Sequence, residues 1–261
     1  MDKVKICTPI SHLFKNSDFA KSIISNSDVL ECRDHTINNI SPNQEVFHCD
    51  IQPIHNFSDS DYLFLEKIKK LKKNLRLISF HLASCYKNPK LKQNIFQSNG
   101  KKLSRSKLLD NAKKNIDYIK NFFGPSVKIA VENNNFMRSE AYDYVTDPNF
   151  ISSVVKENEI YFLFDISHAR ISSYNMGINY SDYIKYLPMK KTIQLHISKE
   201  VIKSNGVIYD AHEIPDSLDI KEIKRLLKQY SGIKYLTLEY YKDINELINF
   251  LRNLKNSVNE K

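Results

Sequence analysis

Short runs rich in β-branched and aromatic residues alternate along the chain with longer stretches whose apolar positions recur every three or four residues. That alternation is the signature of strand–helix units arranged around a parallel sheet. Eight runs carry the strand signal: Lys3–Cys7, Asp28–Glu31, Glu45–His55 (interrupted by Pro53), Arg76–His81, Val127–Glu132, Ile160–Asp165, Thr192–His196 and Tyr235–Glu239. Some, such as Tyr161-Phe162-Leu163-Phe164, are continuously apolar, as strands covered on both faces must be. Between Ser104 and Phe123, Leu108, Leu109, Ala112, Ile116, Ile119 and Phe123 trace one helical face, with Ser104 or Ser106 to cap its start and Gly124-Pro125 to stop it. Asp61–Leu71, Asp147–Glu157, Tyr180–Leu187, Asp219–Gln229 and Asp243–Leu254 read as further helices.

Eight strands alternating with helices over 261 residues match one (β/α)₈ TIM barrel, so residues 1–261 are expected to form a single domain. There is no internal repeat or low-complexity tract, and only 5 glycines, which excludes a glycine-rich phosphate loop. Two connections, about 82–103 and 197–218, are too long for simple turns, and long loops at one end of a barrel are usually functional.

No run of 18 or more apolar residues offers a membrane span, and the N-terminus has no basic region followed by an apolar stretch, so neither membrane nor secretion is expected. Cys7, Cys32, Cys49 and Cys85 form no C-x-x-C pair and read as reduced, mostly buried thiols of a cytoplasmic protein. The net charge of +9 raises the question of nucleic acid, but of 39 basic residues 7 are Arg and 32 are Lys. Scattered Lys is usually a solvated face, and the Arg clusters of phosphate recognition are missing. Lys87, Lys90, Lys92, Lys101 and Lys102, gathered in one loop, are the exception.

The chemistry sits where the strands stop. Their ends carry His55, His81, Glu132, Asp165 with His168 just beyond, His196 and Glu239, and the loop after the seventh strand adds Asp210 and His212. Strand C-termini of such a barrel share one mouth, where barrel active sites lie. Two carboxylates about 4 Å apart repel by roughly 4 kcal/mol at an effective dielectric near 20. Four are expected there (Glu132, Asp165, Asp210, Glu239), with no Lys or Arg foreseen at the neighbouring strand ends. Interleaved histidines then point to bound cations held by nitrogen and oxygen, a donor set that suits Fe, Mn, Zn or Co better than Mg or Ca. Each residue alone has an ordinary structural role open to it. His55 can be a hydrogen-bonded histidine, Asp165 an N-cap beside a surface His168, Glu239 a helix cap and Asp210-Ala211-His212 a turn. Their coincidence at one rim is what favours a site.

The second half of the chain resembles the multinuclear non-haem iron-dependent oxidases, the family of the methanobactin-biosynthesis oxidase. The matching elements are Phe164-Asp165-Ile166-Ser167-His168, Asn175-Met176-Gly177, Leu187-Pro188, Gln194-Leu195-His196, Asp210-Ala211-His212-Glu213-Ile214-Pro215, Leu238-Glu239-Tyr240 and the earlier Glu132-Asn133. The Asp-x-His-x-x-Pro element is the most specific. The family commonly has Asn at His168, a Gly-rich motif at His196-Ile197-Ser198-Lys199-Glu200 and a glycine-rich first strand. The resemblance implies two or three irons on His55, His81, Glu132, Asp165, His168, His196, Asp210, His212 and Glu239. It also implies oxygen-dependent rework of a cysteine in a ribosomally made precursor peptide and a small partner protein; Asp210 or His212, by its position on a loop, is expected to move protons once a substrate is bound. The basic loop at 82–103 is either a grip for an acidic leader peptide or a solvated lid. Two alternatives stay open. One is a sugar isomerase or epimerase of the xylose-isomerase-like barrels, using Glu132, Asp165, His196 and Glu239 on one Mn or Co. The other is a three-zinc DNA-repair endonuclease on the same barrel.

Overall fold

Eight parallel strands close into a barrel in the computed structural model, which describes residues 3–204 and 206–259. In chain order the strands are β1 (Lys5–Pro9), β2 (Val29–Arg33), β3 (Val46–Cys49), β4 (Leu77–Leu82), β5 (Lys90–Lys92), β6 (Ile95–Gln97), β7 (Lys128–Asn133), β8 (Tyr161–Asp165), β9 (Thr192–Ile197), β10 (Lys199–Ile202), β11 (Ile208–Glu213) and β12 (Tyr235–Leu238). The barrel order is β1-β12-β9-β8-β7-β4-β3-β2, while β5–β6 and β10–β11 are antiparallel hairpins standing in the two long loops. The helices are α1 (Ser17–Asn26), α2 (Asp59–Leu71), α3 (Arg105–Phe123), α4 (Pro148–Glu157), α5 (Ile166–Met176), α6 (Tyr180–Lys185), α7 (Ser217–Gln229) and α8 (Ile244–Asn259). Between β2 and β3 the crossover holds only a 3₁₀ turn, Asp34–Thr36.

Two apolar layers hold this together. Inside the barrel, Cys7, Val29, Val46, Leu77, Ala130, Leu163, Ile193 and Tyr235 pack into a plug, so the barrel is a core and not a pore. Outside it, the other faces of the same strands meet the helices through residues such as Ile6, Leu30, Phe47, Phe80, Val131, Phe162, Leu195 and Leu236. α3 behaves as its pattern predicts: the Ser104 hydroxyl accepts from the Lys107 amide and Gly124 ends the helix at φ +78°. α1 and α5 are structural additions, and α5 carries no one-sided stripe. In α5 apolar and small residues (Ile166, Ser167, Ala169, Ile171, Ser172, Ser173) are buried on all sides, and a helix buried all round loses its amphipathic signal.

Strand ends differ from expectation at two places that matter. β3 stops at Cys49 and the chain turns through Pro53, so His55 lies past a loop and not at a strand end. β2 continues to Arg33, which puts a guanidinium at the rim where no fixed cation was expected.

Candidate metal centre

The polar residues rise in layers above the apolar plug. His48 is level with Ser79 across β3–β4, one rung below His81, which is level with Glu132 on β7; Asp165 on β8 is level with His196 on β9, itself level with Thr237 on β12. Side chains two apart on a strand share a face, so each layer delivers its polar groups inward to the same space.

Glu132 is the hub, and it is almost wholly buried. Its Oε2 lies 3.0 Å from His81 Nδ1 and 3.5 Å from His48 Nε2, and its Oε1 lies 3.3 Å from His196 Nδ1 and 3.9 Å from His168 Nδ1. Burial alone would raise the carboxyl's pKa, but His48 first, with His196 and His81, holds it well below the usual range. The Ser79 hydroxyl sits 2.8 Å from His48 Nδ1, which leaves Nε2 aimed at Glu132. The same division of labour holds at Asp165. One oxygen accepts from the His168 amide at 2.7 Å and caps α5, while the other stands 3.8 Å from His168 Nδ1. Burial and the surrounding carboxylates outweigh the pull of His168 and push Asp165 up to about 7.

Across the mouth, His196 Nδ1 lies 2.8 Å from Glu239 Oε1, and His212 Nε2 bridges Glu239 Oε2 at 3.0 Å and Asp210 Oδ2 at 3.1 Å. Asp210 also faces His168 Nε2 at 3.5 Å. Asp210 and His212 arrive on the β10–β11 hairpin, where His212 takes a left-handed backbone (φ +46°), rare for a residue with a side chain. Arg33 pairs with both Glu239 and Glu31, the latter at 2.9 Å. Below them Glu31 accepts from His196 Nε2 at 3.0 Å, Gln194 Nε2 at 2.7 Å and the Thr237 hydroxyl at 3.0 Å.

The structure therefore brings together His81, Glu132, Asp165, His168, His196, Asp210, His212 and Glu239. It leaves His55 apart: that ring is buried with Nε2 3.0 Å from the Ser84 carbonyl, and burial lowers its pKa to about 4. Sequence reasoning missed His48, Glu31 and Arg33. The signal for His48 was present, since Val46-Phe47-His48-Cys49 alternates and Val46 belongs to the inner plug. The expected strand runs on through Pro53 to His55 instead.

The donor set fits metal ions. His48, His81 and Glu132 bring one nitrogen or oxygen each within 4.8 Å of one another; so do Glu132, Asp165 and His168, and so do Glu31, His196 and Glu239. Glu132 Oε2 and His196 Nδ1 are buried without a hydrogen bond, although acids and imidazoles crowd round them. Buried polar atoms in this state ordinarily serve a further partner, such as an ion. His48, His81, Glu132, His168, Asp210, His212 and Glu239 line a cavity of about 510 Å³.

The model of the family described as the RiPP precursor modification enzyme MbnB/TglH/ChrH matches residues 53–259. The chain belongs to this family. The match extends well before the motifs that carry the resemblance, although it begins after His48. Among curated proteins no relative matches. Solved structures with the same fold include the IolI protein with a bound zinc atom (13% identity, 98% of each chain covered, TM-score 0.64). They also include 3-keto-D-glucoside 4-epimerase YcjR from E. coli (15%, 97% of this chain and 100% of that one, TM-score 0.61). Endonuclease IV from Thermus thermophilus is similar as well (11%, 98% and 100%, TM-score 0.61). At these identities the likeness establishes the barrel. Membership makes this a peptide-modifying enzyme of the RiPP class, and no helix among the described residues is long and apolar enough to cross a membrane.

Proposed function

We propose that the chain is a multinuclear iron-dependent oxidase that uses dioxygen to modify a cysteine of its precursor peptide. The observation that carries this reading is Glu132, a buried carboxylate ringed by His48, His81, His168 and His196 with one oxygen left without a hydrogen bond. A single metal on Glu132, Asp165, His196 and Glu239, as in the sugar-epimerase reading, gives His48, His81 and His212 nothing to bind. Two or three irons would use all of them: His48, His81 and Glu132 could hold one, Asp165 and His168 a second, and His196, Glu239, Asp210 and His212 the remaining one. When bound, iron supplies a Lewis acid for the cysteine thiolate and the redox capacity that an oxygen-dependent reaction needs.

The chain's own residues do the rest. Asp210 and His212 are the proposed proton carriers: His212 Nε2 sits between two carboxylates, and its hairpin is tied to the barrel where the Ser198 hydroxyl donates to Asp210 Oδ1 at 3.2 Å. Gln52, Asn94, Asn134 and Asn135 line the opening and offer amides for a peptide backbone, while Phe96 on β6 gives it an apolar edge. A small protein partner that presents the peptide leader belongs to the same reading, as does a cytoplasmic location.

Anaerobic purification followed by elemental analysis and Mössbauer spectroscopy tests this. Two or three irons per chain are expected. One Mn or Co would favour the epimerase reading, and three zincs with salt-sensitive binding to abasic DNA the nuclease reading. No metal at all would sink the proposal.

A further inference from the structure

A second cavity, of about 650 Å³, lies beside the metal cavity at the ends of β1, β2 and β12. The two differ in charge. The metal cavity is lined by Asp50, Glu132, Asp210 and Glu239 among its histidines; the second carries His12, Lys15, Arg33 and His35 and no Asp or Glu. Arg33 is the residue that lines both. Its Nε and Nη2 are taken by Glu31 and Glu239, and among the described residues Nη1 has no hydrogen bond. His12, Lys15 and His35 form no ion pair among those residues, and Tyr241, which also lines the cavity, has a buried hydroxyl with no hydrogen-bond partner. A concave site with convergent donors, an apolar wall from Ile10 and Tyr241, and no acidic group selects an anion.

We propose that this cavity binds a carboxylate of the substrate peptide, held by Lys15, His35 and Arg33 Nη1 next to the cysteine in the metal cavity. The inference rests on the peptide-modifying reading and adds a specificity determinant: because one arginine side chain separates the cavities, the carboxylate belongs to the cysteine's immediate neighbourhood. Its source is either the C-terminus of the peptide or an Asp or Glu beside the cysteine. The shared chemistry is the carboxylate.

Thiol-free peptides read the cavity independently of any metal. The probes are N-acetyl-Ser-Gly with a free C-terminus, its C-terminal amide, N-acetyl-Asp-Ser amide and N-acetyl-Asn-Ser amide, titrated into the full chain by NMR. The expectation is that at least one carboxylate peptide binds about tenfold more tightly than its neutral counterpart. That preference should vanish in Lys15→Ala/His35→Ala, survive in Lys15→Arg, and survive in Lys92→Ala, which removes a charge from the hairpin instead. Preference for the free terminus assigns the C-terminus, and preference for the Asp peptide assigns a side chain. Equal binding of all four peptides, or an unchanged preference in the double variant, would overturn the proposal. Metal content measured on the same preparations separates the two ideas: a carboxylate preference in a chain that takes up no metal sinks the iron reading and leaves the cavity standing, and the reverse pattern does the opposite.

Discussion

The two sides of the barrel mouth neutralise buried carboxylate by different means. On the β3–β4–β7 side, Glu132 is met among the described residues by imidazoles: His48 and His81 at one oxygen, His168 and His196 at the other. On the β2–β9–β12 side, Glu31 and Glu239 share Arg33, and Glu31 is further held by Gln194, Thr237 and His196. An imidazole's charge depends on a proton that a metal ion can replace, whereas a guanidinium stays charged at any ordinary pH. The first side is therefore built to exchange protons for metal. The second carries a fixed cation that steadies it when metal is absent, and three uncharged or titratable donors below it that set ring orientation.

The largest effect should follow from the hub. Glu132→Gln keeps the shape but removes the negative charge that all the surrounding rings share, and it should cost at least one metal per chain and about a thousandfold in turnover, on the order of 4 kcal/mol. Elemental analysis and peptide turnover check this. If Glu132→Gln retained the full metal complement, the contrast between the two sides would be wrong.

His48→Ala against His55→Ala is the next break point. His48 Nε2 faces Glu132 at 3.5 Å with its other nitrogen fixed by Ser79, whereas among the described residues the His55 ring has its hydrogen bond to the Ser84 carbonyl and its Nδ1 has none. Loss of His48 should lower metal content and turnover by about a hundredfold or more. Loss of His55 should leave metal content alone and lower the unfolding midpoint by a few degrees, since it removes a buried hydrogen bond worth on the order of 1 kcal/mol. The opposite ranking would restore His55 as a ligand.

How far the sequence led can be argued from these same residues. The barrel was legible because Leu108 to Phe123 on α3 shows its helical period plainly and Tyr161 to Phe164 on β8 is a short, continuously apolar run. That His81, Glu132, Asp165, His196 and Glu239 gather at one rim was legible because each falls at the end of such a run. Where the chain leaves the strand mattered more than composition. Two residues added to β2 bring Arg33 to the rim, and β3 ending before Pro53 places His48 there and leaves His55 in the loop beyond. Glu31 ends the expected second strand and carried that same signal, but the partners that give it importance, Gln194, His196 and Thr237, lie far along the chain.

Glu31→Gln sharpens the other side. Glu31 lies within reach of a metal shared with His196 and Glu239, yet Arg33, Gln194, Thr237 and His196 already engage both its oxygens. It is better suited to holding His196 Nε2 so that Nδ1 faces Glu132 and Glu239 than to ligating. Removing such an orienting carboxylate typically weakens metal binding about 10- to 100-fold without changing stoichiometry at saturation. Competition with a chelator measures the first quantity and elemental analysis the second. A stoichiometric loss of one metal would make Glu31 a ligand instead.

The smallest effect lies at the seam between the two sides, where Asp34 follows Arg33 and accepts from the Asp50 amide at 3.2 Å. Burial, and then the neighbouring Asp50 charge, push the Asp34 carboxyl up from its ordinary value to about 7. With the folded pKa above the unfolded one, this group's contribution to stability is complete below about pH 4 and is lost as pH rises through about 7. Asp34→Asn keeps an oxygen for the Asp50 amide and removes the titration. The variant should match the parent's unfolding midpoint near pH 4 and exceed it by on the order of 3 °C at pH 8. Asp50 faces His81 Nε2 at 3.5 Å, so the charge that raises Asp34 is itself partly committed to the imidazole side of the mouth. If the two midpoints kept a constant separation from pH 4 to pH 8, Asp34 would not be feeling Asp50, and the boundary between the proton-dependent side and the arginine-held side would have to be drawn elsewhere.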